Sequence, residues 1–307
     1  MGIILIFLIF GVGYGLIYAV EKYFFSDSEI QSGSLNSPVL SCSENLHQNR
    51  FFDRDLFFRT QDERPPRQYD PKTIGGVIIP HHLLAGRVIA GTLGVIASPD
   101  IKTVFVMGPD HYKKGTSFFT TSLYRWDTPW GVVDCHANNI TSLLLTSFVT
   151  NIPQVLEEEH SISGIMPYVQ YFFPNARVIP LSVRSDTEAT ALEEMSRMLG
   201  EVLERDKSAI LIASVDFSHY LSSREAIKKD KQSLEIMQNR TYTTMRSLED
   251  DHMDSPETIE IFLRATEIAG FSNLNMLYNT NSGILTGNPF EKTTSYFGIV
   301  ASTSYEE

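Results

Sequence analysis

An alternation of short apolar runs and amphipathic helical patterns, which begins after Pro71, most limits what this chain can fold into. Strands are predicted near residues 74–79, 102–107, 176–183 and 208–214. Helices are predicted near residues 84–97, 137–149, 162–173, 187–204, 224–238 and 255–270, and two closing strands in NLNMLYN and TSYFGIVAS. This order of elements predicts an α/β fold, in which helices flank a single, mainly parallel sheet.

Three of the predicted strands lead to a histidine. The segments IIPHH, VFVMGPDHY and ASVDFSHY place His81, His111 and His219 after apolar runs. Because ligands of a parallel α/β sheet bind outside the carboxyl ends of its strands, the three side chains are expected in one cleft. The spacing of His81 and His111 fits one β-α-β unit whose strands can be neighbours, so their imidazoles are predicted to bind one metal ion. His82 is the alternative to His81, because successive strand residues point in opposite directions.

A carboxylate accompanies the third histidine in the segment DFSH. Asp216 is expected to lie near His219 on a turn and to orient its imidazole, which would act as a general base. The alternative is a capping aspartate followed by a solvent-facing histidine. The acidic segment EEEHSI, which contains Glu159 and His160, is interpreted as a solvated loop.

Two helix starts carry capping signals. Ser185, followed three residues later by Glu188, predicts a capping box before the fourth helix. In the last helix, Ser255 is the predicted N-cap, Pro256 the first helical residue and Gly270 the stop.

The amino-terminal residues differ from the rest of the chain. Residues 3–20 carry no charge and would form a helix about 27 Å long, close to the thickness of bilayer hydrocarbon. A cleaved signal peptide and a buried core helix are the alternatives; no basic segment precedes the stretch and no small-residue cleavage site follows it. The chain is therefore predicted to contain a transmembrane anchor at 1–25, a linker and lead-in at 26–70 and an α/β domain at 71–307. These boundaries predict a single-pass, membrane-anchored protein, with the extracytoplasmic side favoured for the domain.

Composition narrows the class of partner. The net charge is −12, so the chain lacks the basic surface that a general nucleic-acid-binding protein needs. The two cysteines, Cys42 and Cys135, form no CxxC pair, so neither a thiolate zinc site nor a disulfide framework is expected. Cysteine content leaves the redox compartment open.

Six segments together resemble the Memo family, whose members include the B component of the bacterial AmmeMemoRadiSam system. They are IIPHH, VFVMGPDHY, YRWDTPWGVVDCH, EEEHSI with MPYVQYFFPNARVIPLSV, ASVDFSHY and TTSYFGI, in the family's order. The resemblance implies a fold like that of class III extradiol dioxygenases, which use iron(II) to open aromatic rings. It also implies that His81 and His111 bind the metal. His219 then corresponds to the base-like histidine and Asp216 to its acidic companion.

Two departures from the family pattern affect the site. The family often has a cysteine in a Cys-Gly-Arg-x-Pro stretch, and aligning that proline with Pro256 in HMDSPETI puts His252 at its position. His252 is therefore the predicted third metal ligand. Asp254 is the alternative, which would complete a 2-His-1-carboxylate set. After EHSI the family continues with Glu-x-His, whereas this chain has SGI at 163–165, so two polar groups are missing from the cleft.

Three functions are compatible with these residues. The first is a metal-dependent oxidoreductase with dioxygenase-like chemistry on an unknown substrate, for which iron or copper is favoured and zinc is the alternative. The second is a non-catalytic module that binds a small molecule or peptide and works with a radical SAM enzyme. The third is metal-assisted hydrolysis with zinc-bound water. The retained histidines favour the first function, and the missing cysteine favours the second.

Overall fold

The structure, a computed structural model, describes residues 40–60, 69–288 and 290–303. These residues contain twelve strands and eleven α-helices. The strands are β1 (Leu46–His47), β2 (Ile74–Ile79), β3 (Thr103–Pro109), β4 (Phe119–Thr121), β5 (Arg125–Thr128), β6 (Gly131–Cys135), β7 (Val149–Asn151), β8 (Arg177–Val183), β9 (Ala209–Ser214), β10 (Phe217–Leu221), β11 (Asn273–Asn281) and β12 (Thr293–Ser302). The helices are α1 (Arg54–Arg59), α2 (Gly86–Ile96), α3 (Ala137–Leu144), α4 (Pro153–Glu158), α5 (His160–Ser163), α6 (Met166–Phe172), α7 (Ala189–Arg205), α8 (Ser223–Gln238), α9 (Tyr242–Met245), α10 (Pro256–Ile268) and α11 (Ser282–Thr286). Short 3₁₀ helices cover Pro71–Thr73 and Leu83–Ala85.

Parallel strands form the centre of the sheet. β2 and β3 each pair with β9, and β3 pairs with β8 on its other side. These strands are buried over nearly their whole length, which explains why they are continuous apolar runs rather than alternating patterns. The four strands predicted from those runs are confirmed.

The sheet as a whole is mixed, so the prediction of a mainly parallel sheet is wrong. The strand order is β1-β5-β6-β8-β3-β9-β2-β12-β10, with β11 beside β12 and β4 beside both β7 and β8. β12 runs antiparallel to β2, β10 and β11, and β5 runs antiparallel to β6. The short link between Thr128 and Gly131 explains the last pair, because a tight turn joins antiparallel strands whereas parallel strands need a long crossover.

The strands that lead to His81 and His111 are not neighbours. β9 lies between them, and its residue Leu211 has register partners in both β2 and β3. The expectation that the two histidines follow adjacent strands is therefore wrong, although both follow strands that end at the same edge of the sheet. As a result, Ser214 at the end of β9 lies between the two histidine-bearing segments.

Helices cover both faces of the sheet, and adjacent residues of one strand pack into opposite cores. In β3, Phe105 belongs to the core that contains Phe262 of α10, while Val104 belongs to the core that contains Ile89 of α2. All four side chains are fully buried. Close packing on both faces fixes the central strands, so the residues that follow them project from a rigid frame.

One of the two predicted helix starts is confirmed. Ser255 accepts a hydrogen bond from the backbone N–H of Thr258 at the start of α10, and Gly270 after its end has the left-handed φ of 86° that glycine tolerates. The capping box of Ser185 and Glu188 is wrong. Glu188 itself precedes the first residue of α7, and its side chain makes no capping hydrogen bond.

The predicted transmembrane anchor, residues 1–25, lies outside the described residues. Within the ranges that the structure describes, no helix is long and apolar enough to cross a bilayer. The predicted fold included a transmembrane helix, and the predicted single-pass membrane localisation depended on it. Neither prediction is supported, and both are corrected. Part of the predicted linker and lead-in, residues 26–70, is folded, since β1 pairs with β5 and Phe57 of α1 is fully buried.

A disulfide joins Cys42 to Cys135, the last residue of β6. The expectation that the two cysteines encode no disulfide is therefore wrong. They are 93 residues apart in the chain, so no local spacing signals the pair. They meet because the segment ahead of β1 follows the edge of the sheet, where the Ser43 N–H donates to the Leu123 carbonyl at 2.8 Å.

A buried carboxylate connects three strands to α8. Asp230 accepts hydrogen bonds from Ser218 Oγ at 2.8 Å, Ser295 Oγ at 2.5 Å and Asn279 Nδ2 at 2.9 Å. Burial raises the pKa of Asp230 in spite of these hydrogen bonds, which act in the opposite direction. The carboxyl group therefore joins β10, β11 and β12 to α8.

Asp230→Ala is expected to lower the free energy of unfolding by about 3 kcal/mol, because the buried hydroxyls of Ser218 and Ser295 and the amide of Asn279 lose their acceptor. Urea unfolding followed by circular dichroism measures this loss. Asp186→Ala is the control, since Asp186 is exposed and its ion pair with Arg184 lies at the surface. Equal stability of the two variants would contradict the role of Asp230.

Candidate metal centre

His81 is held rigidly just beyond the end of β2. Its side chain is 2% exposed, and its Nδ1 lies 3.2 Å from the carbonyl oxygen of Ser214. A carbonyl can only accept a hydrogen bond, so Nδ1 carries a proton and donates it. Nε2 then faces two carboxylates, at 3.2 Å from Asp254 Oδ2 and 3.7 Å from Asp216 Oδ2.

His111 follows β3 and is fixed by a buried glutamate. Glu159 accepts a hydrogen bond from the His111 backbone N–H at 2.9 Å and lies 2.8 Å from its Nδ1. Nε2 of His111 lies 3.5 Å from Asp254 Oδ2. In metal sites, the ring nitrogen of a histidine that does not bind the metal commonly donates a hydrogen bond to a carboxylate. The interpretation of Glu159 as part of a solvated loop is wrong, because the residue is fully buried.

His160, the first residue of α5, completes a group of three imidazoles. Its ring stacks on that of His111 with centroids 4.4 Å apart and lies 5.0 Å from that of His81. One nitrogen from each ring lies within 4.8 Å of the other two. The interpretation of the sequence assigned His160 no role. The signal that was available for His160 is the EEEHSI segment, one of the six that carry the family resemblance.

Asp254 enters the site through a short backbone pairing. Met253 forms an antiparallel bridge with Phe217, and the Asp254 N–H donates to the Asp216 carbonyl at 3.1 Å. Asp254 Oδ2 accepts a hydrogen bond from the Asp216 N–H at 3.3 Å, while its Oδ1 is buried without a hydrogen-bond partner among the described residues. A second group that could bind a metal consists of His81, Asp216 and Asp254.

Asp216 is directed at His81, as its hydrogen bonds show. Its Oδ1 accepts from the backbone N–H of His81 at 3.0 Å. His219 takes its position from a different contact, the donation of its backbone N–H to the Asp250 carbonyl at 2.7 Å. Nδ1 of His219 is buried and has no hydrogen-bond partner in the described part of the chain. His219, His111 and Asp254 line the same cavity, which has a volume of about 290 Å³.

His252 and His82 make their hydrogen bonds elsewhere. His252 Nδ1 lies 2.7 Å from Asp251 Oδ1 and its Nε2 lies 3.2 Å from Gln232 Oε1, so it belongs to neither metal-competent group. His82 Nδ1 lies 2.6 Å from the Tyr296 hydroxyl and also belongs to neither group. The structure thus brings together His81 and His111, and it brings Asp254 rather than His252 to them.

The charges of the site favour a cation at its centre. Burial opposes a charge on His81, but Asp216 and Asp254 outweigh it and raise the pKa of His81 to about 9. His111 is also buried, and hydrogen bonds to Asp254 and Glu159 raise its pKa to about 10. Burial would raise the pKa of Asp254, but the two histidines hold it well below its usual range. The carboxylates thus attract positive charge, which either protons or a metal ion can supply.

The donor set fits a divalent transition metal. Imidazole nitrogen binds iron, zinc, copper and nickel, and two histidines with one carboxylate are typical of non-haem iron sites. His160 supplies a further nitrogen, and burial together with His81 and His111 lowers its pKa to about 4, which keeps the imidazole neutral and able to coordinate. The unpartnered Asp254 Oδ1 and the convergent nitrogens are the features that a bound cation would satisfy.

Comparison with known proteins identifies the family of this chain. The family model described as Memo-like protein matches residues 54–300. The chain belongs to the Memo-like protein family. A MEMO1 family protein of Methanopyrus kandleri is 31% identical over 176 residues, which cover 56% of this chain and 62% of that protein. One from Saccharolobus solfataricus is 29% identical over 189 residues, covering 58% and 66% respectively.

Other relatives align over more of the chain. A MEMO1 family protein of Pyrobaculum arsenaticum is 25% identical over 240 residues, which cover 75% of this chain and 83% of that protein. A solved structure of an uncharacterized protein from Escherichia coli K12 has a TM-score of 0.46 and 14% identity, covering 72% of this chain and 99% of that one. That likeness is too low to bear on the chemistry. The predicted family resemblance is confirmed by the family match.

His160→Ala is expected to weaken metal binding at least about tenfold, because it removes one of three convergent nitrogens. Metal content after dialysis against a defined free-metal buffer measures the change. His252→Ala is the matched control, and it is expected to retain the wild-type metal content because His252 bonds to Asp251 instead. Loss of metal from the control alone would make His252 the better ligand.

Proposed function

We propose that this Memo-like protein binds one divalent metal ion at the carboxyl edge of the central strands and performs oxidative chemistry on a small molecule or peptide. The observation that carries the proposal is the convergence of three imidazoles and the Asp254 carboxylate beside a cavity of about 290 Å³. Iron or copper is favoured, with zinc as the alternative.

His81, His111 and Asp254 would hold the metal. Each histidine has its Nδ1 engaged, with Ser214 or Glu159, so that Nε2 is the nitrogen that faces Asp254. His160 would add a fourth donor from the more exposed side of the site, since 33% of its side chain is accessible. When bound, iron or copper would supply electron transfer and an open coordination position for a substrate atom.

His219 would move the proton. It lines the cavity together with His111 and Asp254, and its Nδ1 has no partner among the described residues. A substrate hydroxyl or amide beside the metal would donate its proton to the His219 imidazole. Asp216 would act as a positioning residue for His81, to which it is hydrogen-bonded, instead of orienting His219.

A non-catalytic binding module is the second candidate. It is favoured by the residues at 163–165, where Ser163 is fully buried and Gly164 carries no side chain. The cleft therefore lacks the two polar groups that the family resemblance implies there. In that case the cavity would bind a small molecule or peptide without turnover, and a radical SAM enzyme would be the partner. Metal-assisted hydrolysis, with His219 as base, requires zinc at the same ligands.

Metal analysis of the full chain tests the proposal first. The protein, purified without added metal or chelator, is expected to contain about one equivalent of iron or copper, and His81→Ala and His111→Ala are expected to lose it because each removes an inner ligand. A folded protein that contains no metal and takes none up from Fe²⁺, Cu²⁺ or Zn²⁺ solutions would exclude metal-dependent chemistry. Zinc at full occupancy would favour hydrolysis.

His219→Ala separates a proton-transfer role from a ligand role. It is expected to retain the wild-type metal content and to reduce turnover by about 10² to 10⁴, the range for loss of a general base. Oxygen consumption by the iron-loaded protein, screened against phenolic and peptide substrates, measures turnover. Loss of metal from this variant would instead make His219 a ligand.

A further inference from the structure

The segment ahead of the family match packs against the part of the domain that carries His160. We call residues 40–53 the amino-terminal arm; they precede the matched residues 54–300. The arm contains β1, which pairs in parallel with β5, and the Ser43 N–H donates to the Leu123 carbonyl. The arm therefore lies along the edge of the sheet.

A disulfide holds the arm near its amino-terminal end. Cys42 forms the disulfide with Cys135, which is 2% exposed at the end of β6. Cys42 is partly exposed and is therefore the less buried of the two cysteines. The other end of the arm continues into α1, where Phe57 is fully buried against Tyr168 and Tyr171. Breaking the disulfide would thus remove the covalent tie at Cys42, while the β1–β5 pairing and the buried Phe57 would remain in place.

Between these ends, the arm contacts α4 and α5. Arg50 forms an ion pair with Glu157 of α4 at 2.5 Å, and His47 Nδ1 lies 3.6 Å from the same carboxylate. The Phe51 ring lies 6.0 Å from that of His160. Glu157 is three residues ahead of His160, so the arm supports the helical segment that delivers this imidazole.

His160 depends on such support more than the other two imidazoles do. His81 Nδ1 bonds the Ser214 carbonyl and His111 Nδ1 bonds Glu159. His160 Nδ1 has no hydrogen-bond partner within the described ranges, although it lies 3.3 Å from Glu159 Oε1. Its ring is positioned by packing against His111, His81 and Phe51. A shift of α4 or α5 would therefore move His160 first.

We propose that the Cys42–Cys135 disulfide is a redox control on the metal centre, which keeps the arm on α4 and α5 and His160 in its ligating position. The inference rests on the proposed metal site. A dithiol reductant would transfer two electrons and two protons, break the S–S bond, leave two thiols and become a disulfide itself. The arm would then be held by the β1–β5 pairing and by Phe57 without its covalent tie, and its contacts with Glu157 and His160 would open locally more often.

Zinc titration of the full chain tests this coupling, with Zn²⁺ alone as the probe and a chromophoric chelator as competitor. Cys42→Ser/Cys135→Ser is expected to bind Zn²⁺ about tenfold more weakly than the oxidised wild type, the effect typical of losing support around a ligand. Arg50→Met keeps the disulfide but removes the ion pair with Glu157, and it is expected to weaken binding in the same direction. Glu44→Gln is the matched control, because Glu44 pairs with Arg125 of β5 rather than with α4.

Amide hydrogen exchange of the metal-free protein provides a readout that does not depend on metal binding. Residues 153–165 are expected to exchange faster in the double serine variant than in the oxidised wild type, with no such change in Glu44→Gln. If no protein binds zinc but exchange differs, the proposed metal function fails and the arm's control of this segment stands. Equal zinc affinity and equal exchange would overturn the inference. Free thiols in wild type denatured without reductant would overturn it as well.

Discussion

The Asp254 carboxylate is the group on which the candidate centre depends. Its Oδ2 lies within 3.5 Å of Nε2 of both His81 and His111. In a buried site, imidazoles lose their charge unless a nearby anion favours it, and two charged imidazoles repel each other. A carboxylate shared by both nitrogens offsets that repulsion and directs the rings to one point. The same negative charge that would hold protons there would hold a metal cation.

The position of Asp254 follows from the central strands. The chain leaves β9 at Ser214, continues through Asp216 and begins β10 at Phe217, which bridges to Met253. That bridge places Asp254 opposite Asp216, immediately before Ser255 caps α10. Because β9 lies between β2 and β3, this exit path falls between His81 and His111. The site is therefore a consequence of strand order as much as of the residues themselves.

Local signals predicted the parts of the fold and site that depend on nearby residues. The central strands appear as apolar runs because both their faces are buried, and the histidines after β2 and β3 follow from the rule that ligands bind at strand ends. The N-cap at Ser255 is also a local signal, read from Pro256. These elements needed no knowledge of distant contacts.

Long-range pairings account for what the sequence did not reveal. The insertion of β9, the antiparallel β12 and the Cys42–Cys135 disulfide each join segments far apart in the chain. His160 was missed because Glu159 and Glu158 give its segment the composition of a solvated loop. The contact between Glu159 and His111 shows otherwise, and it spans 48 residues.

The resemblance to the Memo family implies a cysteine at the site, where this chain has the Asp254 carboxylate facing His81 and His111. This difference bears on the metal that we propose. Alignment on Pro256 puts His252 at the cysteine position, but the turn there directs His252 toward Asp251 and Gln232, and Asp254 two residues later faces the site. A thiolate and a carboxylate both carry one negative charge, so the electrostatic attraction for a cation is kept. The softness of the ligand changes, because a thiolate prefers soft ions such as Cu(I), whereas a carboxylate with imidazoles suits iron(II). Of the metals that we propose, a donor set of His81, His111 and Asp254 would suit divalent iron better than Cu(I).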